Sequence, residues 1–286
     1  MSHPSQATTL PSALYLVATP IGCVEDITLR ALRILAAVDR IFAEDTRVTA
    51  QLLSSHQIRT PLTSLNAHSE EAKVPQIIAA LRDGQSIALV SDAGTPAVSD
   101  PGRIVVAACH AEGLAVVPVP GASALTALAS VAGLPASPFQ FVGFLPPKGA
   151  SRRRALTSVL EYGGTTVLYE APHRMDDLAV LLAELAAGRT VCVGRELTKT
   201  YEEVVSLPAE GLSAWLMARP DRIRGEFALM IGPPRTPQPS SALDATRLLR
   251  ALAGVLPPSK AASITAELTG LSKRSLYAQL TDSSEQ

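Results

Sequence analysis

Short runs of β-branched and other apolar residues alternate along the chain with longer stretches whose apolar positions recur every three or four residues. Leu14 to Ala18 predicts a strand, and Asp26 as an N-cap predicts a helix through Ala37. Arg40 to Ala43 predicts a second strand and Arg47 to Ser54 a second helix. Val74, Ile77, Ile78 and Leu81 carry helical spacing from Glu70 to Arg82, where Asp83-Gly84 stops it. Ser86 to Ser91 (SIALVS) is apolar on both faces, the pattern of a buried parallel strand. A helix from Gly102 to Glu112, a strand from Leu114 to Val119 and a helix from Ala122 follow. Strand–helix repetition of this kind predicts a parallel sheet with helices on both faces.

The pattern breaks at Pro135 to Pro138 and again at Pro146-Pro147, then a second set begins. Strands are expected at Phe139 to Phe144, Thr165 to Tyr169, Thr190 to Arg195, Tyr201 to Ser206 and Glu226 to Ile231. Helices are expected around Arg152 to Tyr162, Met175 to Ala187 and Leu212 to Ala218. Short links between some of these strands predict a mixed sheet. Gly232 to Ser241 (GPPRTPQPSS) has linker composition. Beyond it, Leu243 to Ala253, Pro258 to Leu268 and Lys273 to Leu280 show helical spacing, the last two separated by a short turn at Gly270 as in a helix-turn-helix. The expected organisation is a leader (1–12), an N-terminal α/β domain (13–134), a C-terminal α/β domain (135–232), a linker (233–241) and a helical tail (242–286).

Composition narrows the class. Of 286 residues 47% are apolar and 18% charged, enough to bury a sizeable core and too apolar for a disordered chain. Lys and Arg number 25 against 26 Asp and Glu, so a uniformly basic, nucleic-acid-wrapping surface is excluded while a local basic patch is not. Cys23, Cys109 and Cys192 lie far apart, the usage of reduced intracellular thiols and not of a disulfide framework. No positively charged leader and no run of about 18 apolar residues is present, which points to a cytoplasmic protein.

Four loops follow predicted strands at the sheet edge where open α/β folds bind ligands. They are Thr19-Pro20-Ile21-Gly22, Glu44-Asp45-Thr46-Arg47, Ser91 to Pro96 running on to Ser99-Asp100-Pro101-Gly102, and Pro120 to Ala124. Gly94 and Gly121 would let a ligand approach the backbone, and Asp92 could accept hydrogen bonds from hydroxyls or an amino group. Neither a Walker loop nor G-x-G-x-x-G occurs, which disfavours ATP-dependent phosphoryl transfer and a dinucleotide dehydrogenase. The five histidines share no metal-ligand spacing, so no metal is expected.

The motifs LVATPIG (16–22), DITLRAL (26–32), AEDTR (43–47), SDAGTP (91–96), PGASA (120–124) and YEAPHR (169–174), with VGFLP and RELTK, resemble the tetrapyrrole methylase superfamily over most of the chain. Within it they look most like the bacterial enzymes that 2′-O-methylate a cytidine in the decoding centre of 16S rRNA. The resemblance implies two α/β domains holding S-adenosylmethionine in the cleft between them, in a homodimer acting on 16S rRNA within the 30S subunit. It carries cofactor contact to Leu16, Pro20, Gly22, Asp92, Gly94, Thr95, Ser123, Ala124 and Ala228. Cys23 stands where that family usually has Asn, which removes any hydrogen bond from the Asn amide.

A ribose hydroxyl is a poor nucleophile until its proton leaves, so a base or polarising cation is expected nearby. Asp45, Glu170 and Lys199 are candidates because each lies at or just beyond a predicted strand end; capping and ion pairing are the other reading of each. RNA contact is expected at Lys148, Arg152, Arg153 and Arg154, a dense basic run opening a helix, and at Lys273 and Arg274 in the tail, which also carries Lys260. Scarce Trp and Tyr give little support to base stacking on aromatic residues. Two rival functions remain: C-methylation of a tetrapyrrole precursor, and a non-catalytic helix-turn-helix regulator.

Overall fold

The computed structural model of the chain describes residues 10–234 and 242–282. Most of the expected leader and linker therefore lies outside the described residues. The leader's last residues are fixed: Leu10 packs on the first core, and the Ser12 hydroxyl donates to the Leu81 carbonyl at 2.7 Å.

The first sheet contains β1 (Leu14–Val17), β2 (Arg40–Ala43), β3 (Leu62–Ser64), β4 (Ile87–Val90) and β5 (Val116–Val119), all parallel, in the order β3-β2-β4-β1-β5. Between them run α1 (Leu29–Ala37), α2 (Thr46–Ser55), α3 (Glu70–Arg82) and α4 (Arg103–Ala111), with α5 (Ala124–Val131) after β5. Alternation along the strands splits their side chains between two cores. Tyr15, Val17, Ile41 and Val90 meet Ile34, Leu35 and Leu53 from α1 and α2 on one face. Leu14, Phe42, Ile87 and Leu89 meet Ile77, Leu81, Val105 and Cys109 from α3 and α4 on the other. All four β4 residues are buried, as an apolar run in a central parallel strand requires.

The second sheet has β6 (Phe139–Phe144), β7 (Thr165–Glu170), β8 (Thr190–Arg195), β9 (Glu203–Pro208) and β10 (Phe227–Ile231), ordered β6-β7-β10-β8-β9. Only β6–β7 pair in parallel there, so the sheet is mixed as expected. Helices α6 (Gly149–Leu160), α7 (Met175–Leu185) and α8 (Leu212–Met217) cover one face through Leu156, Leu178, Leu182, Leu212 and Leu216. The other face is covered by α5, whose Leu128, with Ala132 just beyond it, packs on Val167, Cys192, Ala228 and Met230. A helix that follows the first sheet in sequence thus packs on the second.

Three local expectations are corrected. Asp26 does not cap α1: Val24–Asp26 is a single 3-10 turn, and the Thr28 hydroxyl accepts from the Ala31 N–H at 3.0 Å. Asp26 lies two residues too early to reach that orphan donor. Strand β9 begins at Glu203, not Tyr201, because a turn with Thr198 at φ +65° intervenes, its N–H donating to the Glu202 carboxylate. Strand β3 was not expected, having three residues and one apolar side chain.

In the tail, α9 (Ala242–Ala253), α10 (Pro258–Thr269) and α11 (Lys273–Asp282) form a separate compact unit around Leu249, Ala261, Ala262 and Leu276. Gly270, at φ +69°, ends α10 in the left-handed conformation a C-terminal glycine provides, and the chain turns into α11.

Candidate active site

The C-terminal ends of β1, β4 and β5 meet the edge of the second sheet around a cleft of about 410 Å3. Thr19 and Gly94 exchange backbone hydrogen bonds of 2.9 and 3.0 Å, which tie the β1 and β4 loops together. Gly94 is required there by φ +80°. The first sheet's loops contribute Ile21, Glu44, Asp92 to Thr95, Asp100, Ser123 and Ala124 to the lining. The second sheet contributes Phe144, Tyr169, Glu170, Gly194 and Ala228. The Tyr169 hydroxyl accepts from the Leu125 N–H at 3.1 Å, joining the start of α5 to the opposite wall.

Three carboxylates concentrate on the first wall. Asp92 Oδ1 accepts from the Asp45 N–H at 2.9 Å, which positions the β2 loop beside the β4 loop. Burial, then the charge of Asp92, raises the Glu44 carboxyl above its ordinary value. Burial, then the charge of Glu44, pushes Asp100 up to about 6 despite an opposing Ser91 hydrogen bond. Just after Asp100, buried Glu70 accepts from the N–H groups of Gly102, Ile104 and Val105 at 3.0, 2.8 and 3.2 Å. A side chain on α3 thereby caps α4 and fixes the turn that carries Asp100.

Residues 13–213 match the family of Tetrapyrrole (Corrin/Porphyrin) Methylases, and residues 239–283 match the RsmI C-terminal HTH domain. The chain belongs to the tetrapyrrole methylase family. It is 43% identical over 265 residues to the ribosomal RNA small subunit methyltransferase I of Escherichia coli O157:H7, covering 92% of this chain and 93% of that one. The enzyme of the same name from Pseudomonas aeruginosa is 42% identical over 269 residues, 93% of this chain and 95% of that one. Among solved structures, a cobalt precorrin-4 methyltransferase aligns with TM-score 0.58 and 18% identity, over 77% of this chain and 95% of its own. The uroporphyrin-III C-methyltransferase of Thermus thermophilus, complexed with S-adenosylhomocysteine, aligns with TM-score 0.52 and 21% identity, over 77% and 97%.

Against this tetrapyrrole methylase framework the sequence-derived residues divide. Asp92, Gly94, Thr95, Ser123, Ala124 and Ala228 line the cleft, whereas Leu16, Pro20 and Gly22 do not. Leu16 packs against the core beneath α3 and α4. Gly22 abuts the β8–β9 turn so closely that a Cβ would lie 2.5 Å from Lys199 Cγ and 2.6 Å from Thr198 Oγ1. The Cys23 N–H donates to Thr198 Oγ1 at 3.0 Å, so this contact is made by backbone and needs no Asn side chain.

Among the catalytic candidates only Glu170 borders the cleft. Its carboxylate has 0% exposure, 2.7 Å from an Arg152 guanidinium nitrogen and 3.0 Å from Arg174 Nε. Asp45 caps α2 and pairs with Arg47 at 2.6 Å, and these bonds hold it down at about 2. Lys199 lies between Glu196 and Glu226 at 3.1 and 3.0 Å. Burial would lower its pKa, but the hydrogen bonds it donates to the two carboxylates outweigh burial and raise it.

The basic run separates by helical phase. Arg152 is 1% exposed and is corrected from RNA contact to a buried partner of Glu170, since α6 turns it inward beside Leu156 and Leu160. Arg153 pairs with Glu184, while Lys148 and Arg154 are exposed. Lys260, Lys273 and Arg274 are exposed on the tail. Sequence reasoning missed Glu44, Asp100, Phe144 and Tyr169 in the lining, although each lies inside or beside a motif already singled out.

Proposed function

We propose that this chain methylates small-subunit ribosomal RNA using S-adenosylmethionine, with the ribose 2′-hydroxyl of a decoding-centre cytidine of 16S rRNA as acceptor. The observation that carries this is the pairing of the family's cleft with an RsmI-type tail, in a chain matched over more than nine-tenths of its length by enzymes named for ribosomal RNA. The solved precorrin and uroporphyrin methyltransferases align over 95–97% of themselves but 77% of this chain, so the tail has no counterpart in those alignments, which favours RNA over a tetrapyrrole.

The cleft suits this cofactor chemically. A volume near 410 Å3 falls within the usual range for small-molecule sites. Glu44, Asp92 and Asp100 favour a ligand bearing positive charge, and Ile21, Leu197 and Ala228 offer apolar surface. The backbone amides of Thr95 and of Ala124 at the start of α5 would take its carboxylate, since Gly94 donates to Thr19 and Leu125 to Tyr169, and the first amides of a helix lack partners within it. When bound, S-adenosylmethionine supplies a methyl group already activated by its sulfonium.

The protein's part is then alignment, exclusion of water and disposal of one proton. Asp100 is assigned the proton, because a carboxyl near 6 is ionised at neutral pH yet more basic than an ordinary aspartate. Asp45 is too weak a base, Glu170 is held by two guanidiniums, and Lys199 keeps its proton. Glu170 instead positions the cleft wall. Lys148, Arg154, Lys273 and Arg274 are assigned to RNA phosphates. The proposed setting is the cytoplasm, with a homodimer acting on the 30S subunit.

The test supplies labelled S-adenosylmethionine with unmodified 30S subunits, naked 16S rRNA or uroporphyrinogen. Recovery of 2′-O-methylcytidine from the subunits supports the proposal. Label entering the tetrapyrrole alone, or no cofactor binding by calorimetry, overturns it.

A further inference from the structure

We infer that Phe144 is a stacking platform for the base of the target nucleotide. The inference rests on the RNA methyltransferase reading above and adds a substrate-recognising residue to it. Phe144 is a large apolar side chain lining the cleft and is nevertheless 53% exposed. It also faces the cleft only through a local irregularity. Residues 141 and 144 differ by an odd number, so a regular strand would send their side chains to opposite faces. In β6 the register slips between Phe141 and Gly143, leaving Val142 as the extra residue, with Gly143 at φ +67°. The bulge sets Phe144 opposite Tyr169, on the same face as Phe141, with Tyr169 edge-on to both rings at 5.8 and 5.0 Å. Bulges of this kind re-aim side chains beside active sites.

The residues that follow are held rigidly. Arg174 donates to the carbonyls of Leu145 and Pro146 at 2.6 and 3.1 Å, and Arg152 to Pro146 at 3.3 Å. Both guanidiniums are anchored on Glu170 at the end of β7. The fold therefore holds an apolar ring half in solvent at the mouth of the cleft. Exposed Lys148 and Arg154 follow within ten residues and suit the phosphates on either side of an unstacked nucleotide. Exposing a ribose hydroxyl to a cleft requires drawing its nucleotide out of the stack, and a flat apolar face offsets part of that cost.

The test compares wild type with Phe144→Ala, Phe144→Leu and Phe144→Trp, measuring methylation of unmodified 30S subunits, S-adenosylmethionine binding by calorimetry, and thermal unfolding. Expected for Phe144→Ala is a loss in kcat/KM for RNA of about 5- to 140-fold, the equivalent of about 1–3 kcal/mol of base–aromatic stacking, with cofactor affinity and melting unchanged. Phe144→Trp should restore activity and Phe144→Leu should not. Unchanged RNA kinetics in Phe144→Ala would overturn the inference, as would full rescue by Leu. A parallel loss of cofactor binding would assign the ring to the cofactor instead. Wild type that methylates no RNA would remove the underlying reading, an outcome distinct from wild-type activity that Phe144→Ala retains.

Discussion

Replacing Arg152 with Ala separates an RNA-binding arginine from an architectural one. The side chain is 1% exposed and faces a Glu170 carboxylate with 0% exposure at 2.7 Å. Removing one member of a buried ion pair costs about 3–5 kcal/mol, because the other charge is left unsolvated. Arg174 stays 3.0 Å from Glu170, which places the expected loss at the low end, about 3 kcal/mol. At about 2–4 °C per kcal/mol for a body of this size, the melting temperature should fall by about 6–12 °C, read by circular dichroism. Arg154→Ala, two positions away and exposed, should melt within about 0.5 kcal/mol of wild type while binding RNA more weakly. Adding Glu170→Gln to Arg152→Ala should cost less than the sum of the single changes, since the stranded charge is gone. The reasoning is refuted if Arg152→Ala melts like wild type and loses RNA binding.

Methylation by the wild type should rise in kcat/KM through about pH 6 and level off above it, with Asp100→Asn much slower and lacking that inflection. Stability should show the opposite trend. The folded Asp100 carboxyl titrates above its ordinary 3.8, so its protonation stabilises the fold most fully below about pH 4. That contribution is lost as pH rises through about 6, and Asp100→Asn should therefore exceed wild type in melting temperature at pH 8 but not at pH 4. Glu70→Ala strands three amides and should lower stability by about 1–3 kcal/mol in urea unfolding, with Glu70→Gln losing less because an acceptor oxygen remains. Lys148→Ala and Arg154→Ala should each flatten the dependence of log affinity for RNA on log salt by about 0.7, with cofactor binding unaltered; an unchanged slope would remove both from the interface.

Much of the fold was legible because its signals are local. The apolar run of β4, the heptad-like spacing of α3 and the Gly270 turn each follow from a few adjacent residues. Strand β3 escaped because three residues with one apolar side chain give no period to detect, its place being set by parallel pairing to β2. The site was readable to the level of loops, since Asp92, Gly94, Thr95, Ser123 and Ala124 sit in motifs that end strands. Individual roles were not. Arg152, Arg153 and Arg154 are consecutive and chemically identical, and only the rotation of α6 and the position of Glu170 and Glu184 distinguish them. Glu44 and Asp100 acquire their properties from burial and from carboxylates on neighbouring loops, Asp92 beside Glu44 and Glu44 beside Asp100, and Phe144 from a bulge that shifts register by one residue.

The placement of α5 has a consequence for how the chain acquires its structure during synthesis. The helix closes at Val131, yet of the three strands that receive its Leu128, β7 begins at Thr165, β8 at Thr190 and β10 only at Phe227. As the chain emerges from N-terminus to C-terminus, the first sheet can assemble while the apolar side of α5 still has no sheet to lie on. That surface stays incompletely covered until nearly all of the second sheet has been made, and the cleft closes with the insertion of β10 between β7 and β8. Interrupted synthesis anywhere before that strand would leave a sticky, incomplete molecule, so the last strand to appear decides whether the nascent chain becomes an enzyme or a client for chaperones.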